Sequence, residues 1–288
     1  MDTSELLQRV RRVEIKTRAL TRGALAGQYH SAFKGRGMSF SEVREYHIGD
    51  DVRDIDWNVT ARTGKPHVKQ YEEERELTVM LLVDVSGSLD FGTRGSTLRE
   101  LLTEVAATLA MSAMMNGDKV GAIFFGDKIE KYIPPASSRS HILYLIRELL
   151  TMPSSGRHTD LSQALEYVVR VQKRRAVVFL LSDFLVEQDY RRPLSIAARR
   201  HDVVALRLVD TRLTAMPNIG FIKLYDAETG HEQYVDTTAG AVRKSQEQWW
   251  KRHSETFRDT LSHCGIDFTD IYTGRDYLPA LMALMKKR

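Results

Sequence analysis

A single cysteine, Cys264, stands among 288 residues, so no internal disulfide framework holds this chain together. One thiol fits a reducing compartment, and a buried, inert side chain accounts for it better than a nucleophile, the neighbouring His263 notwithstanding. Long apolar runs are missing as well. Nothing approaches the roughly 18 consecutive apolar residues of a membrane span, the longest stretch being 81–83 with its flanks. The N-terminus lacks an apolar signal core. Glu5 and Glu14 among Arg9, Arg11, Arg12, Lys16, Arg18 and Arg22 argue against a transit peptide, and the expected location is cytoplasmic. Charge of one sign is scarce too: 42 basic residues against 38 acidic leave +4, and the pI near 9.1 reads as a small excess, not a dedicated basic surface. Nucleic acid is therefore not implied as a partner. The nine histidines, His141, His158 and His201 included, show no metal-binding spacing and read as surface or loop residues.

What is present is an ordinary globular composition, 42% hydrophobic and 28% charged, enough for one large domain or a domain plus an extension. Leu6, Leu7, Val10, Val13 and Ile15 approximate helical spacing, which predicts an amphipathic helix over 4–20 packed on its own domain. From Gly23 to about Glu76 the pattern is irregular, with turns at 35–37 and 48–51. It reads as a charged, loop-rich extension over 1–76, anchored through Phe40, Tyr46 and Trp57. Glu72, Glu73 and Glu74 read as a solvated face.

Residues 77–288 then alternate short apolar runs with helical patterns, the signature of an α/β fold with a doubly wound, mostly parallel sheet covered on both faces. Strands are expected at 77–84, 119–125, 176–183, 202–209 and 265–272, with 128–133 pairing as a neighbour. Leu98, Leu101, Leu102, Val105 and Leu109 mark one helix, and Leu161, Leu165, Val168 and Val169 another. A β-hairpin at 219–225 and 232–236, turning at 228–230, is inserted before a helix over 239–263, whose Trp249, Trp250 and Phe257 read as packing anchors.

One strand end carries chemistry. Val79 to Val83 is wholly apolar and ends in Asp84, followed by Ser86, Gly87 and Ser88. The C-terminal edge of an open parallel sheet is where ligands bind. A carboxylate leaving a buried strand needs solvent, hydrogen bonds or a metal, and hydroxyls two and four residues on supply hard oxygen donors that suit magnesium, or manganese or calcium. Asp183 ends a second apolar strand as Asp84 ends the first. Two carboxylates converging on one edge repel unless a cation or solvent intervenes. Thr159 precedes Asp160 and is expected to cap the helix that opens there.

The set Asp84, Ser86, Ser88, Thr159 and Asp183 resembles the metal-ion-dependent adhesion site of von Willebrand factor A domains. That resemblance covers about 77–288 and implies a six-stranded sheet. It also implies hydroxyl ligands from Ser86, Ser88 and Thr159, aspartates acting directly or through water, and a partner's carboxylate completing the octahedron. The segment 37–62, with Glu42, Arg44, Glu45, Tyr46, Asp50, Asp51, Arg53, Asp54, Asp56, Trp57 and Arg62, resembles the bacterial family catalogued as domain of unknown function 58. The turn 84–92 is similar to members found beside aerotolerance-type membrane proteins, so association with membrane-protein partners is compatible with it. Relatives occur next to a MoxR-type AAA+ ATPase, which implies that ATPase as a working partner, together with an unnamed client. The interleaved acids and arginines of 42–62 read as a structural network in preference to a partner surface.

The function expected from these readings is a non-enzymatic, metal-dependent adaptor. A Mg²⁺-dependent phosphohydrolase is the alternative, and a site that merely stabilises the sheet edge is a third. Haloacid-dehalogenase-type phosphotransferases place a second carboxylate where this chain has Ser86. A phosphate-binding Gly-x4-Gly-Lys-Ser/Thr loop is absent, Gly64-Lys65 being followed by Pro66, and neither Ser86 nor Ser88 sits in Gly-x-Ser-x-Gly.

Overall fold

The computed structural model describes residues 3–20, 26–34, 38–73, 76–92, 97–154, 158–186, 188–225 and 232–288. The turns expected at 35–37 and 228–230, Glu74, and 155–157 of the stretch before Thr159 lie outside them. Helix α1 (Thr3–Leu20) forms where the spacing predicts. The following segment is more regular than its sequence pattern implies: α2 (Ala26–Lys34), β1 (Met38–Glu45), α3 (Trp57–Thr63) and β2 (His67–Glu73) occupy much of it. Strands β1 and β2 form an antiparallel ribbon of their own. Its strands are mostly polar, so they lack the apolar alternation by which a half-buried strand is read. Trp57, expected as an anchor, is instead 67% exposed, and Tyr46 is half-buried.

The main sheet contains β3 (Thr78–Asp84), β4 (Lys119–Phe125), β5 (Ile129–Ala136), β6 (Val177–Ser182), β7 (Asp202–Val209) and a last strand at Asp267–Tyr272. Between them run α4 (Leu98–Met115), α5 (Arg139–Thr151), α6 (Leu161–Val171), α7 (Arg191–Arg200) and the one-turn α8 (Thr211–Thr214). After these come the hairpin β8 (Phe221–Tyr225) and β9 (Glu232–Asp236), then α9 (Gly240–His263), the last strand as β10, and α10 (Leu278–Lys287). The strand order is β10-β7-β6-β3-β4-β5, parallel throughout except for the antiparallel edge strand β5. From β3 the chain winds outward through β4 and β5, then returns to the other side of β3 to lay down β6, β7 and β10. The topological switch point therefore falls between β3 and β6.

Strand β3 is buried on both faces, as a continuous apolar run in a parallel sheet must be. Val79, Leu81 and Val83 join the core beneath α4, α5 and α10; Met80 and Leu82 join the core beneath α6, α7 and α9. Tyr29 and Phe33 of α2 belong to the first core, Phe33 meeting Phe179 of β6 edge-on at 5.6 Å. Helix α1 packs on α4 and α5, with Val10 and Val13 against the same core and Glu14 paired to Arg139 at 2.6 Å. Helix α2 thus adds to the apolar cover of the sheet, and α1 lies over α4 and α5. Gly121 marks the tightest backbone approach, because a Cβ there would stand 2.8 Å from the Ile133 carbonyl oxygen and 2.9 Å from Met80 Sδ.

Three smaller expectations change. Trp249 is 42% exposed and stacks on His253 at 5.6 Å, while Phe257 of the same helix is core. His201, read as a surface or loop residue, is 1% exposed, because it ends α7 directly against the edge of the sheet core. Cys264 caps the C-terminus of α9, half-buried, and burial pushes its thiol pKa up, which keeps it a poor nucleophile.

Candidate metal centre

Asp84 is the last residue of β3 and pairs in register with Phe125, the last of β4. Beyond it the chain turns through a short 3-10 segment, Gly87–Asp90, with Ser86 as its N-cap. The turn is tied back on itself: Ser86 N–H donates to Asp84 Oδ1 at 2.8 Å, and the Ser86 and Ser88 hydroxyls meet at 3.0 Å. Asp84 and Ser86 are fully buried and Ser88 half-buried, so the hydroxyls gather over the carboxylate where bulk water is largely excluded.

Asp183 reaches the same edge from β6. It is 2% exposed, Oδ1 accepts the Leu185 N–H at 3.0 Å, and among the described residues buried Oδ2 has no hydrogen-bond partner. The next residue, Phe184, holds φ at 56°, a left-handed conformation that a bulky side chain rarely adopts. Its ring is locked against Phe257 at 4.8 Å and Tyr190 at 6.3 Å, and its N–H is held by Ser182 Oγ at 3.0 Å. The strain is thereby absorbed by core packing, and it turns the chain sharply just past Asp183.

The electrostatics of the pair follow from burial. Burial first, then the charge of Asp183, pushes the Asp84 carboxyl up to about 7, against the pull of hydrogen bonds from Ser182 and Ser86. Asp183 is also raised, by burial, with the Leu185 N–H and then the Ser88 hydroxyl opposing. Asp84 is thus bonded to Ser86 and Ser86 to Ser88, and Asp183 acts on Asp84 through charge.

Thr159 comes to this edge by a different route. The residue after it, Asp160, donates its N–H to the carbonyl of Gly126 at 2.7 Å, one residue beyond the end of β4. Thr159 is 5% exposed. It does not cap α6, contrary to expectation; Asp160 does so, accepting the Gln163 N–H at 2.9 Å. A carboxylate one residue nearer the helix competes better for that N–H, which releases the Thr159 hydroxyl from capping.

Two positioning residues were not read from the sequence. Ser182 donates its hydroxyl to Asp84 Oδ2 at 2.6 Å. Arg99, in the first turn of α4, donates from Nη2 to the carbonyl oxygens of Ser86 and Val85 at 3.2 and 3.4 Å and to Ser154 Oγ at 3.0 Å. Its Nε holds Asp90 at 2.5 Å, and Asp90 also accepts the Ser154 hydroxyl. One guanidinium thus clamps the serine turn to the segment leading to Thr159. The signal for Arg99 was its place two residues beyond the Thr97 that caps α4, close in chain to the turn.

Among the described residues no three His, Cys, Asp or Glu side chains gather into a ligand group, so a cation here would rest on two carboxylates and neutral hydroxyls. The donor set fits one. Two carboxylates buried together with an unpartnered oxygen are a costly arrangement that a divalent ion relieves, and hydroxyl oxygens are hard ligands.

Residues 42–256 match the family described as Protein of unknown function DUF58. The chain belongs to that family. Its whole length aligns at 33% identity with 91% of the uncharacterized protein Rv1480 of Mycobacterium tuberculosis. The uncharacterized protein YeaD of Bacillus subtilis is 24% identical over 67% of this chain and 44% of its own. An aerotolerance-related membrane protein from Bacteroides fragilis has a similar solved structure, with TM-score 0.50 and 14% identity, covering 74% of this chain and 100% of that one. The likeness is one of fold and agrees with the α/β architecture and mostly parallel sheet of this chain.

The family segment 42–62 is internally bonded. Arg44 grips Asp50 through two hydrogen bonds of 2.8 Å, holding that carboxyl down at about 2. Asp51 caps the 3-10 turn Val52–Asp54, Asp56 caps α3, and Glu45 pairs with Lys65 at 3.1 Å. These contacts bond part of the segment to itself, while Arg53, Asp54 and Arg62 are exposed.

Proposed function

We propose that this protein is a non-enzymatic, metal-dependent interaction module. A divalent cation, magnesium first and manganese or calcium as substitutes, would be held by Asp84, Ser86, Ser88, Thr159 and Asp183. Bound there, the ion supplies a Lewis-acidic centre for an acidic side chain of a partner. The observation that carries this reading is the buried pair Asp84 and Asp183, close enough to repel, with Asp183 Oδ2 unsatisfied among the described residues.

The chain's own residues set the character of the site. Ser182 and the Ser86 N–H fix the Asp84 carboxylate, and Arg99 fixes the turn that presents Ser86 and Ser88. Three neutral hydroxyls leave the ion much of its charge, favouring an anionic ligand from outside. A phosphotransferase would need a second acid beside the nucleophile. Ser86 occupies that position, and Asp90 is turned to Arg99 and Ser154.

The family resemblance supplies the partners: a MoxR-type AAA+ ATPase and a client protein, working in assembly or stress tolerance. The aerotolerance-related Bacteroides protein supports the second of these roles. Affinity capture of the ATPase and client from native lysate by wild type, with and without chelator, and by Ser86→Ala/Ser88→Ala tests the proposal. Chelator and the double substitution should each release the same partner. Retention of every partner under both would refute it.

A further inference from the structure

The small net charge of the chain conceals a concentrated basic rim at the sheet edge opposite Asp84. Val177 at the start of β6 pairs with Asp202 at the start of β7, and Asp202 N–H donates to the Ala176 carbonyl at 2.9 Å. That pairing sets Lys173, Arg174 and Arg175, which lead into β6, alongside Arg199 and Arg200, which end α7. Burial first, then the charges of Arg200 and Arg175 on either side, lowers the pKa of the His201 imidazole. All five cations are exposed, and among the described residues none forms an ion pair.

The carboxylates of this edge are already engaged. Asp202 and Asp267 are held by Arg288, and Asp267 also by Lys287 at 3.3 Å. Glu76 pairs with Lys119 at 2.7 Å, and Asp118 accepts the Leu77 N–H at 3.0 Å. Among the described residues, the five cations of this rim therefore have no carboxylate paired to them, although the whole-chain excess is only +4. Two arginines at the end of α7 complement the helix dipole, but Lys173, Arg174 and Arg175 follow α6 outside any helix and have no such role.

From this charge distribution we infer that the rim is a docking surface for an anionic lipid bilayer. Five Lys and Arg side chains without an ion pair among the described residues match the clusters that anionic headgroups attract. Of the residues leading into β6 and ending α7, none between 172 and 176 or between 197 and 201 is Phe, Tyr or Trp. The rim therefore lacks the base-stacking platforms of single-strand nucleic-acid binding. Its position adds a functional consequence. The seven residues of β3 separate the two sheet edges by about 20 Å. A molecule lying on a bilayer by this rim faces its candidate metal centre away from the lipid, free for a partner.

The inference is independent of the metal centre and is tested with chelator present. The full chain is sedimented with vesicles of phosphatidylcholine alone and with vesicles in which about a third of the lipid is phosphatidylglycerol, against Arg174→Gln/Arg175→Gln/Arg200→Gln. Wild type should bind the anionic vesicles only, lose binding as salt rises, and exceed the triple variant by roughly 100-fold. Thermal melting checks that the variant is folded. Equal binding by wild type and folded variant, no binding to anionic vesicles, or preferential binding of a single-stranded oligonucleotide would overturn the inference.

Discussion

Ser182 donates its hydroxyl to Asp84 Oδ2 at 2.6 Å across the two central strands, while Ser182 Oγ itself accepts the Phe184 N–H at 3.0 Å. One buried side chain thereby fixes both the carboxylate of β3 and the strained turn that follows Asp183. Ser182→Ala should leave a buried carboxylate oxygen and a buried N–H without partners, costing about 1–3 kcal/mol. Mg²⁺ affinity should fall about 10-fold or more, as when residues that orient metal ligands are lost. Urea unfolding and calorimetric titration of the variant measure the two effects; unchanged values in both would mean that Ser182 positions nothing.

Arg99 makes a separable claim. Its contacts are to loop carbonyls, Ser154 and Asp90, not to the core, so Arg99→Gln should hardly shift global stability but loosen the serine turn. The expected result is a loss of Mg²⁺ affinity of about 10-fold with a thermal midpoint within a degree or two of wild type. Hydrogen exchange at 85–90 should rise in the variant. Wild-type exchange and wild-type affinity together would remove Arg99 from the account.

His201 sets a pH dependence. It is buried, neither ring nitrogen has a hydrogen-bond partner among the described residues, and burial with the charges of Arg200 and Arg175 lowers its pKa to about 4. The unfolded chain, titrating near the ordinary 6.5, binds the proton more readily than the folded one. Stability from this group is therefore full above about pH 6.5 and is lost as pH falls toward 4, by at most about 3 kcal/mol. His201→Leu should close that gap: the urea midpoint difference between pH 7.5 and 4.5 should be smaller than in wild type. An identical difference would show that His201 does not titrate with folding.

The strands were legible because a fully buried parallel strand writes itself as an unbroken apolar run, and Asp84 and Asp183 stood out as candidate ligands because they break two such runs at the same edge. The capping role expected of Thr159 went to Asp160, a choice between adjacent residues that spacing alone does not make. Ser182 was hidden because it is counted as part of its strand. Arg99 was hidden because its partners are backbone carbonyls and residues 55 positions away. The β1–β2 ribbon escaped because polar strands carry no periodicity, and Phe184 because a positive φ at a non-glycine residue leaves no trace in composition. The basic rim is a property of register. Residues 173–175 and 199–200 are distant in sequence and meet only through the pairing of β6 with β7.

The central claim is that Asp84, Ser86, Ser88, Thr159 and Asp183 hold a divalent cation. Isothermal titration of Mg²⁺ into the wild-type chain and Asp84→Ala tests it most directly. Saturable binding of one ion per wild-type chain, abolished in a folded Asp84→Ala, is the predicted result. Equal binding by both proteins, or none by either, would contradict it.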